Sequence, residues 1–265
     1  MVSSILLKNE FVINDDESTQ RHTVPGVDNY RGLLLEMRGP RDYEYEGVAT
    51  PFPSNLLIPK NEWQARIKEQ EELKCRISDQ IFQAKLPHKD QANTNYCWIN
   101  APIHCVEIGR LVANQKTVIL SPASVGAKIK NYRNVGGWGK EGLEGIIKYG
   151  AAPVDLWPAN AIDKKYDTQI TRDTAQNYKP VEWFECIPRN LEQMVSMLLR
   201  LKPGAAGLNW WGHEVTYCDV LWLDGTIAIR ARNSWKGYGD FGFFVLQGSK
   251  MMADDLVFPS TVLAS

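Results

Sequence analysis

The sequence predicts an α+β protein whose helices precede most of its strands. Between residues 61 and 199, several separate segments carry apolar residues at spacings of three and four, which is typical of helices that bury one face. After residue 213, two strand-like runs flank Asp224-Gly225, a strong signal for a two-residue hairpin. A chain of 265 residues can form one domain or two closely packed lobes.

Composition excludes several classes of function. Hydrophobic residues at 44% and charged residues at 23% are ordinary for a globular protein in water. The formal net charge of -1 gives no electrostatic reason to expect a nucleic acid or an anionic membrane as partner. No apolar stretch approaches the length of a membrane span. We therefore expect neither nucleic acid nor membrane binding.

The cysteines indicate a reducing environment. There are five, an odd number, and no two are spaced as C-x-x-C, which argues against a disulfide framework and a structural zinc site. The apolar run Ile5–Leu7 is too short for a signal peptide and has no basic lead. We expect a protein that is not secreted by a signal peptide and that resides in a host or bacterial cytoplasm.

Residues 1–57 are the least regular part of the chain. Gly39-Pro40 and Pro51-Phe52-Pro53 interrupt any regular element. This N-terminal extension could be a propeptide-like cover, an oligomer contact or an attachment arm, and the sequence does not choose among them. A helical lead-in at 58–83 follows, with Asn61 as its expected N-cap.

The stretch Gln91–Trp98 precedes a helix with one apolar stripe. Thr94 or Asn95 is expected to cap that helix and to place Cys97 in its first turn. Unpaired N–H groups collect there and favour a thiolate, the form of cysteine that acts as a nucleophile. Pro102 should kink the helix axis.

Gly136-Gly137 precedes Trp138 and a short helix that ends at Gly150. The spacing required for a phosphate-binding Walker loop is absent. A glycine pair beside tryptophan instead favours bare backbone that another chain segment can approach closely.

The strands bring two polar residues together. The first strand should run from His213 to Leu223, and the second should return from Thr226 to Asn233. Alternation places Asn233 on the apolar face of the returning strand, near the start of the facing strand at His213. Two polar residues turned inward at neighbouring strand ends require hydrogen-bonding partners.

These residues resemble the papain-like cysteine peptidases. As in that family, Gln91 stands six residues before the cysteine and Trp98 directly follows it. Asn233-Ser234-Trp235 and the glycine-rich run Lys236–Phe244 also match, and Gly136-Gly137 resembles the segment that pairs with substrate backbone. The similarity to the family covers about residues 84–250. The region 58–250 also resembles predicted papain-like proteins of tailed bacteriophages and bacteria.

The resemblance implies a papain-like two-lobe fold. A helical lobe with Cys97 would occupy residues 84–178, and an antiparallel, barrel-like β lobe with His213 and Asn233 would occupy residues 179–265. The implied activity is cleavage of a polypeptide substrate without metal or cofactor. Cys97 would attack as a thiolate with His213 as its acid–base partner, and Asn233 would orient the imidazole.

The resemblance assigns further roles around that centre. The side-chain amide of Gln91 would help to hold the oxyanion, and Trp235 would shield the bond between His213 and Asn233. Gly136, Gly137 and Trp138 would lie along the substrate. Glu214, where the family usually has a small residue, would favour a basic substrate side chain if its carboxylate is exposed.

Some features depart from the family pattern. Tyr96 puts bulk directly before the nucleophile and could narrow the cleft, and the helix expected at 61–78 is too short to match the family's inhibitory propeptide. One alternative is therefore a structural, interaction or virion protein that keeps the scaffold with little or no turnover, with residues 1–57 serving homo-oligomer or virion assembly. Another is a thiol acyltransferase or deamidase, which shares the same acyl-thioester chemistry.

Overall fold

The computed structural model describes residues 4–16, 31–34, 48–49 and 52–262. Within them lie seven α-helices: α1 Lys60–Glu72, α2 Ile77–Ala84, α3 Cys97–Val112, α4 Ala123–Ile129, α5 Gly139–Tyr149, α6 Gln169–Ala175 and α7 Leu191–Leu199. The strands are β1 Val12–Ile13, β2 Val48–Ala49, β3 Pro180–Glu185, β4 Gly204–Leu208, β5 His213–Leu223, β6 Thr226–Arg232, β7 Phe243–Gln247 and β8 Asp255–Val262. Short 3-10 helices cover Ser54–Leu56, Lys164–Tyr166 and Gly248–Met251.

The strands form one sheet of mixed direction. Its order among the described residues is β1-β7-β6-β5-β4-β8-β3-β2. The inner strands are antiparallel, whereas the two short edge strands, both from the N-terminal extension, pair in parallel with β7 and β3. Both N-terminal edge strands therefore lie on the sheet built by the rest of the chain.

The predicted hairpin between β5 and β6 is present. Asp224 and Gly225 connect the strands with φ values of 48° and 82°, as a two-residue turn with left-handed backbone requires. The turn aligns β6 with β5 so that Thr216 lies opposite Arg232, the residue before Asn233. This register brings Asn233 to the end of the sheet at which β5 starts.

Two large hydrophobic clusters lie on either side of the candidate site. One is built around α3 and α5 and includes Trp98, Trp157 and Trp183. The other is built around β5, β6 and α7 and includes Trp211 and Trp235. Residue Cys97 begins the helix of the first cluster, and His213 begins a strand of the second. The site is therefore positioned where the two clusters meet.

The helix starts differ in part from those expected. Helix α1 begins at Lys60 after Pro59, so Asn61 is not its N-cap. Helix α3 is preceded by Tyr96 and has no side-chain cap, so neither Thr94 nor Asn95 caps it. Helix α7, by contrast, has a side-chain cap, because the Asn190 side chain accepts a hydrogen bond from the Gln193 backbone N–H at 3.0 Å.

Pro102 lies within α3 without ending it, since the helix is continuous from Cys97 to Val112. The described part of the chain contains no helix that combines the length and apolar character needed to cross a bilayer. All five cysteines are free thiols, and four of them are buried.

An ion pair attaches the N-terminal residues to the sheet. Glu10 accepts two hydrogen bonds from Arg230 on β6, at 2.6 and 2.9 Å, and both side chains are fully buried. Arg230 also contacts Asp219 on β5 at 3.3 Å. Because a buried charge is stable only when paired, Glu10 fixes the residues before β1 against the sheet.

Replacing Glu10 with alanine should lower the free energy of unfolding by about 3 kcal/mol, because removal of one partner leaves the buried Arg230 only partly compensated. Urea denaturation followed by circular dichroism measures this change. Glu72→Ala is the control, since Glu72 pairs with Lys68 at 3.5 Å on an exposed helix face and should change stability by less than about 1 kcal/mol. Equal effects of the two substitutions would contradict the assigned role of Glu10.

Candidate functional site

The loop before α3 is fastened to the end of β6. The backbone N–H of Gln91 donates to the Ser234 carbonyl at 2.8 Å, and the Ser234 hydroxyl donates to the Gln91 side-chain oxygen at 2.6 Å. The Gln91 side-chain nitrogen donates to the Thr94 carbonyl at 2.8 Å. These bonds hold the start of the Cys97 helix against the Asn233-Ser234 segment, although the two are far apart in sequence.

His213 and Asn233 form a buried hydrogen bond. His213 Nε2 lies 2.8 Å from Asn233 Oδ1, and the same oxygen accepts the Ser234 backbone N–H at 2.7 Å. Because that oxygen can only accept, Nε2 carries the imidazole proton and Nδ1 is the free base of the neutral ring. His213 Nδ1 is buried and makes no hydrogen bond to any described residue.

Two tryptophans enclose this bond. The Trp235 ring stacks on the His213 ring with centroids 4.2 Å apart and an angle of 26° between the planes. Trp211 packs edge-on against His213 at 5.1 Å and against Trp235 at 5.4 Å. The indoles keep water from the bond between His213 and Asn233, which strengthens it. Trp211 was not singled out from the sequence.

Cys97 is the first residue of α3, and its side chain is fully buried. The backbone N–H of Glu214, the residue after His213, is near enough to the Cys97 sulfur to favour its thiolate, so the sulfur lies beside the start of β5. Burial raises the pKa of the Cys97 thiol to about 12, and the Glu214 charge adds to the effect, while N–H groups of Glu214, Gly32 and Trp98 oppose it. Burial also lowers the pKa of His213 to about 3. Both groups are therefore neutral at pH 7.

Residues 31–34, called the closing segment below, lie across the site. The Gly32 backbone N–H donates to Cys97 Sγ at 3.2 Å. Leu33 pairs in parallel with Gly137: the Gly137 N–H donates to the Gly32 carbonyl at 2.9 Å, and the Leu34 N–H donates to the Gly137 carbonyl at 3.1 Å. The chain thus covers its own cysteine.

Glycines make this close approach feasible. A Cβ atom on Gly32 would overlap the Asn95 backbone carbonyl, and one on Gly136 would overlap the Gly32 carbonyl. A Cβ on Gly137 would come within 2.6 Å of the Trp98 ring. The glycine pair is bare backbone approached by another segment, as the sequence predicts, and the segment is the chain's own.

Tyr96 and Trp138, two aromatic residues near the site, lie in different surroundings. The Tyr96 ring is buried against Gly126, and its hydroxyl donates to the Arg133 carbonyl at 2.9 Å. The expectation that Tyr96 narrows the cleft is therefore wrong, because its bulk is directed into the helical cluster. Trp138 directly precedes α5 and is half-buried, and its Nε1 makes no hydrogen bond among the described residues.

Glu214 is 1% exposed, so its carboxyl group is not open to solvent while the closing segment is in place. It lies opposite Gly207 in the sheet, close to Gly139 at the start of α5. Asp255 on β8 also pairs with Gly207 and was not singled out from the sequence. Burial and the Asp255 charge raise the pKa of Glu214 well above its usual range.

No family model matches the sequence, and no curated protein matches it. The fold is nevertheless similar to solved structures of cysteine proteases. Xylellain from Xylella fastidiosa matches with a TM-score of 0.60 at 16% identity, over 99% of this chain and all of that one. The bromelain protease from Ananas comosus, solved with the inhibitor E64, matches with a TM-score of 0.58 at 20% identity, over 70% of this chain and 97% of that one.

Procathepsin L 3 from the larval midgut of Tenebrio molitor matches with a TM-score of 0.57 at 15% identity, over 65% of this chain and 66% of that one. The match thus spans about two thirds of the length of that precursor. The predicted α+β class and the papain-like architecture are confirmed. The chain has the fold of the papain-like cysteine proteases.

Proposed function

We propose that this protein is a cysteine peptidase that hydrolyses peptide bonds through an acyl-thioester on Cys97, and that the closing segment holds it in a latent state. The observation that carries the proposal is the enclosed hydrogen bond between His213 and Asn233 beside a cysteine at a helix N-terminus. This bond presents the free Nδ1 of the imidazole, as a base for a thiol must.

In the proposed reaction, His213 Nδ1 takes the Cys97 proton, and the thiolate attacks the substrate carbonyl carbon. The imidazolium then gives its proton to the leaving amine, so the C–N bond breaks as the acyl-thioester forms. Water hydrolyses the thioester with His213 again acting as base. Asn233 keeps the ring in the orientation and tautomer that these transfers need.

Two donors support the proposed oxyanion site. One is the backbone N–H of Cys97 at the start of α3, where the helix dipole favours negative charge. The other is the Gln91 side-chain nitrogen, whose position is fixed by its bond to Thr94 and by the Ser234 contact with the same amide. A single donor of this kind typically lowers the barrier by about 3–4 kcal/mol.

The closing segment explains why the described state is inactive in this proposal. It presents an N–H group to the Cys97 sulfur, not a carbonyl carbon, so there is no acyl group to attack. It also buries the site, which favours the uncharged thiol and imidazole. Departure of the segment would admit both substrate and water.

The second candidate is a protein that uses the scaffold without turnover, with residues 1–57 serving assembly. It is favoured by the burial of the site and by the absence of a hydrogen bond from His213 Nδ1 to Cys97 Sγ or to any other described residue. Acyl transfer or deamidation would use the same groups and the same thioester. Release of the closing segment in the full chain distinguishes an active site from a silent one.

Gly32→Ala should release the closing segment, because the new Cβ would overlap the Asn95 carbonyl. We expect an epoxide inhibitor to label Cys97 roughly tenfold faster or more, since even about 1.4 kcal/mol lost from the closed state has that effect. Mass spectrometry of the labelled peptide measures the rate.

Leu34→Ala is the matched control for this variant. The Leu34 side chain is 42% exposed, and its backbone bond to Gly137 remains. Cys97→Ala should abolish the label. A label in Gly32→Ala that forms no faster at Cys97 than at the buried Cys105 or Cys218 would favour the silent scaffold.

Release should also change the titration of Cys97. In the native chain the raised pKa of about 12 leaves very little thiolate at neutral pH. In Gly32→Ala, the helix N-terminus and the His213 imidazolium should bring the pKa below the ordinary thiol value. The pH dependence of the alkylation rate with iodoacetamide measures it.

Adding His213→Ala to the Gly32→Ala chain should raise the Cys97 pKa again, because the imidazolium is lost. The same double variant should lower peptide hydrolysis by at least about a hundredfold, the typical contribution of a general base. A pH profile that is identical with and without His213 would contradict its pairing with Cys97.

A further inference from the structure

The loop before α3 contacts Asn233 through a second imidazole. His88 Nε2 lies 2.8 Å from the Asn233 backbone carbonyl oxygen. Because a carbonyl oxygen can only accept a hydrogen bond, Nε2 of His88 carries a proton and donates it. Burial and the charge of Arg232 lower the pKa of His88 to about 4, so its ring is neutral at pH 7. His88 was not singled out from the sequence.

The bond acts on the peptide unit between Asn233 and Ser234. The carbonyl of this unit accepts from His88, and its N–H, which belongs to Ser234, donates to Asn233 Oδ1 at 2.7 Å. That oxygen also accepts the proton of His213 Nε2. Because a peptide unit is planar, its carbonyl and its N–H turn only together. The direction of the His88 bond therefore sets the direction of the N–H that holds Asn233 Oδ1 beside His213.

The sheet does not fix this peptide unit, since β6 ends at Arg232, one residue before Asn233. The Asn233 N–H donates to the Gly242 carbonyl at 2.9 Å. That bond belongs to the preceding peptide unit and does not determine the rotation of the next one. The His88 ring also packs on Gly242, where a Cβ atom would overlap it. His88 thus contacts both the carbonyl of Asn233 and the glycine that holds its N–H.

Resting on the peptidase function proposed above, we propose that His88 is a positioning residue for the reaction. Through the peptide unit that it bonds, His88 holds Asn233 Oδ1 in line with His213 Nε2 and so keeps the imidazole oriented for proton transfer. It takes no part in the proton transfers itself. Without this donor, the buried Asn233 carbonyl would lose a partner, and the peptide unit would turn to find another.

Three substitutions at His88 separate the donor from the bulk of the ring. In His88→Gln, the side-chain amide can place an N–H group where Nε2 stands. In His88→Asn, the same amide is one methylene shorter and reaches only the place of Nδ1, and His88→Leu fills the space without a donor. His104→Leu is the control, because His104 is also buried but its hydrogen bond is with the Arg232 side chain.

The first measurement uses the full-length chain and needs no turnover. The four histidines are labelled with nitrogen-15, and the proton on His213 Nε2 is assigned by its loss in His213→Ala. In the native chain and in His88→Gln, we expect a downfield signal that exchanges slowly with water, because the proton is hydrogen-bonded and enclosed. In His88→Asn and His88→Leu the signal should move upfield and exchange roughly tenfold faster. His104→Leu should leave it unchanged.

The second measurement adds each variant to Gly32→Ala and follows peptide hydrolysis. His88→Asn and His88→Leu should lower kcat by roughly three- to tenfold, the range that one hydrogen bond between neutral groups supplies. KM should not change, since His88 orients the base and does not bind substrate. His88→Gln should retain most of kcat. Urea denaturation of every variant measures stability separately.

The outcomes separate the two proposals. If Gly32→Ala hydrolyses no peptide, the peptidase function fails, while the His213 proton signal still decides whether His88 positions Asn233. If that signal is the same in all the variants, or if His88→Gln changes it as His88→Leu does, the inference is overturned. An equal change in His104→Leu would assign His88 a merely structural role and overturn it as well. Should His88→Leu fail to fold, the comparison of His88→Gln with His88→Asn decides.

Discussion

The junction between Gln91 and the Asn233-Ser234 segment is the contact on which the site depends. It joins the helical cluster, which supplies Cys97, to the β cluster, which supplies His213. Each cluster could pack its own apolar residues without regard to the other. The paired hydrogen bonds between Gln91 and Ser234 determine how the helix start and the strand ends face each other. Since both residues are buried, breaking this junction would leave polar groups without partners in the interior.

Desolvation dominates the electrostatics of the closed site. Backbone N–H groups of Glu214, Gly32 and Trp98 favour the thiolate of Cys97, yet the pKa of its thiol is raised, and the pKa of His213 is lowered. Burial outweighs the favourable hydrogen bonds because each charged form would lose its hydration. The proposed chemistry therefore rests on the arrangement of the residues, whereas their protonation state reflects the burial of the site beneath the closing segment.

Local pattern predicted much of this site. Strand alternation correctly turned Asn233 toward His213, and Cys97 lies in the first turn of α3 as expected, although the expected cap does not form. The prediction that Thr94 or Asn95 caps α3 is wrong because Tyr96 takes the position before the helix. Tyr96 is held there by packing against Gly126, a tertiary contact that local helix propensity does not report.

Other parts of the site depend on long-range pairing. Asp255 joins Glu214 only because β8 lies next to β4, an order that the sequence of β8 alone does not reveal. Leu33 reaches the site through pairing with a glycine about a hundred residues away. Its own neighbours in sequence carry no signal for that contact.

The closing segment is attached on both sides, through β1 to β7 and through β2 to β3. Both attachments belong to the same polypeptide as the site, so its local concentration there is that of a short tether, on the order of millimolar. In the proposed peptidase reaction, a free peptide must exceed this effective concentration or bind more tightly. Severing the chain on one side would leave the other attachment in place, so a single nick weakens this competition without abolishing it.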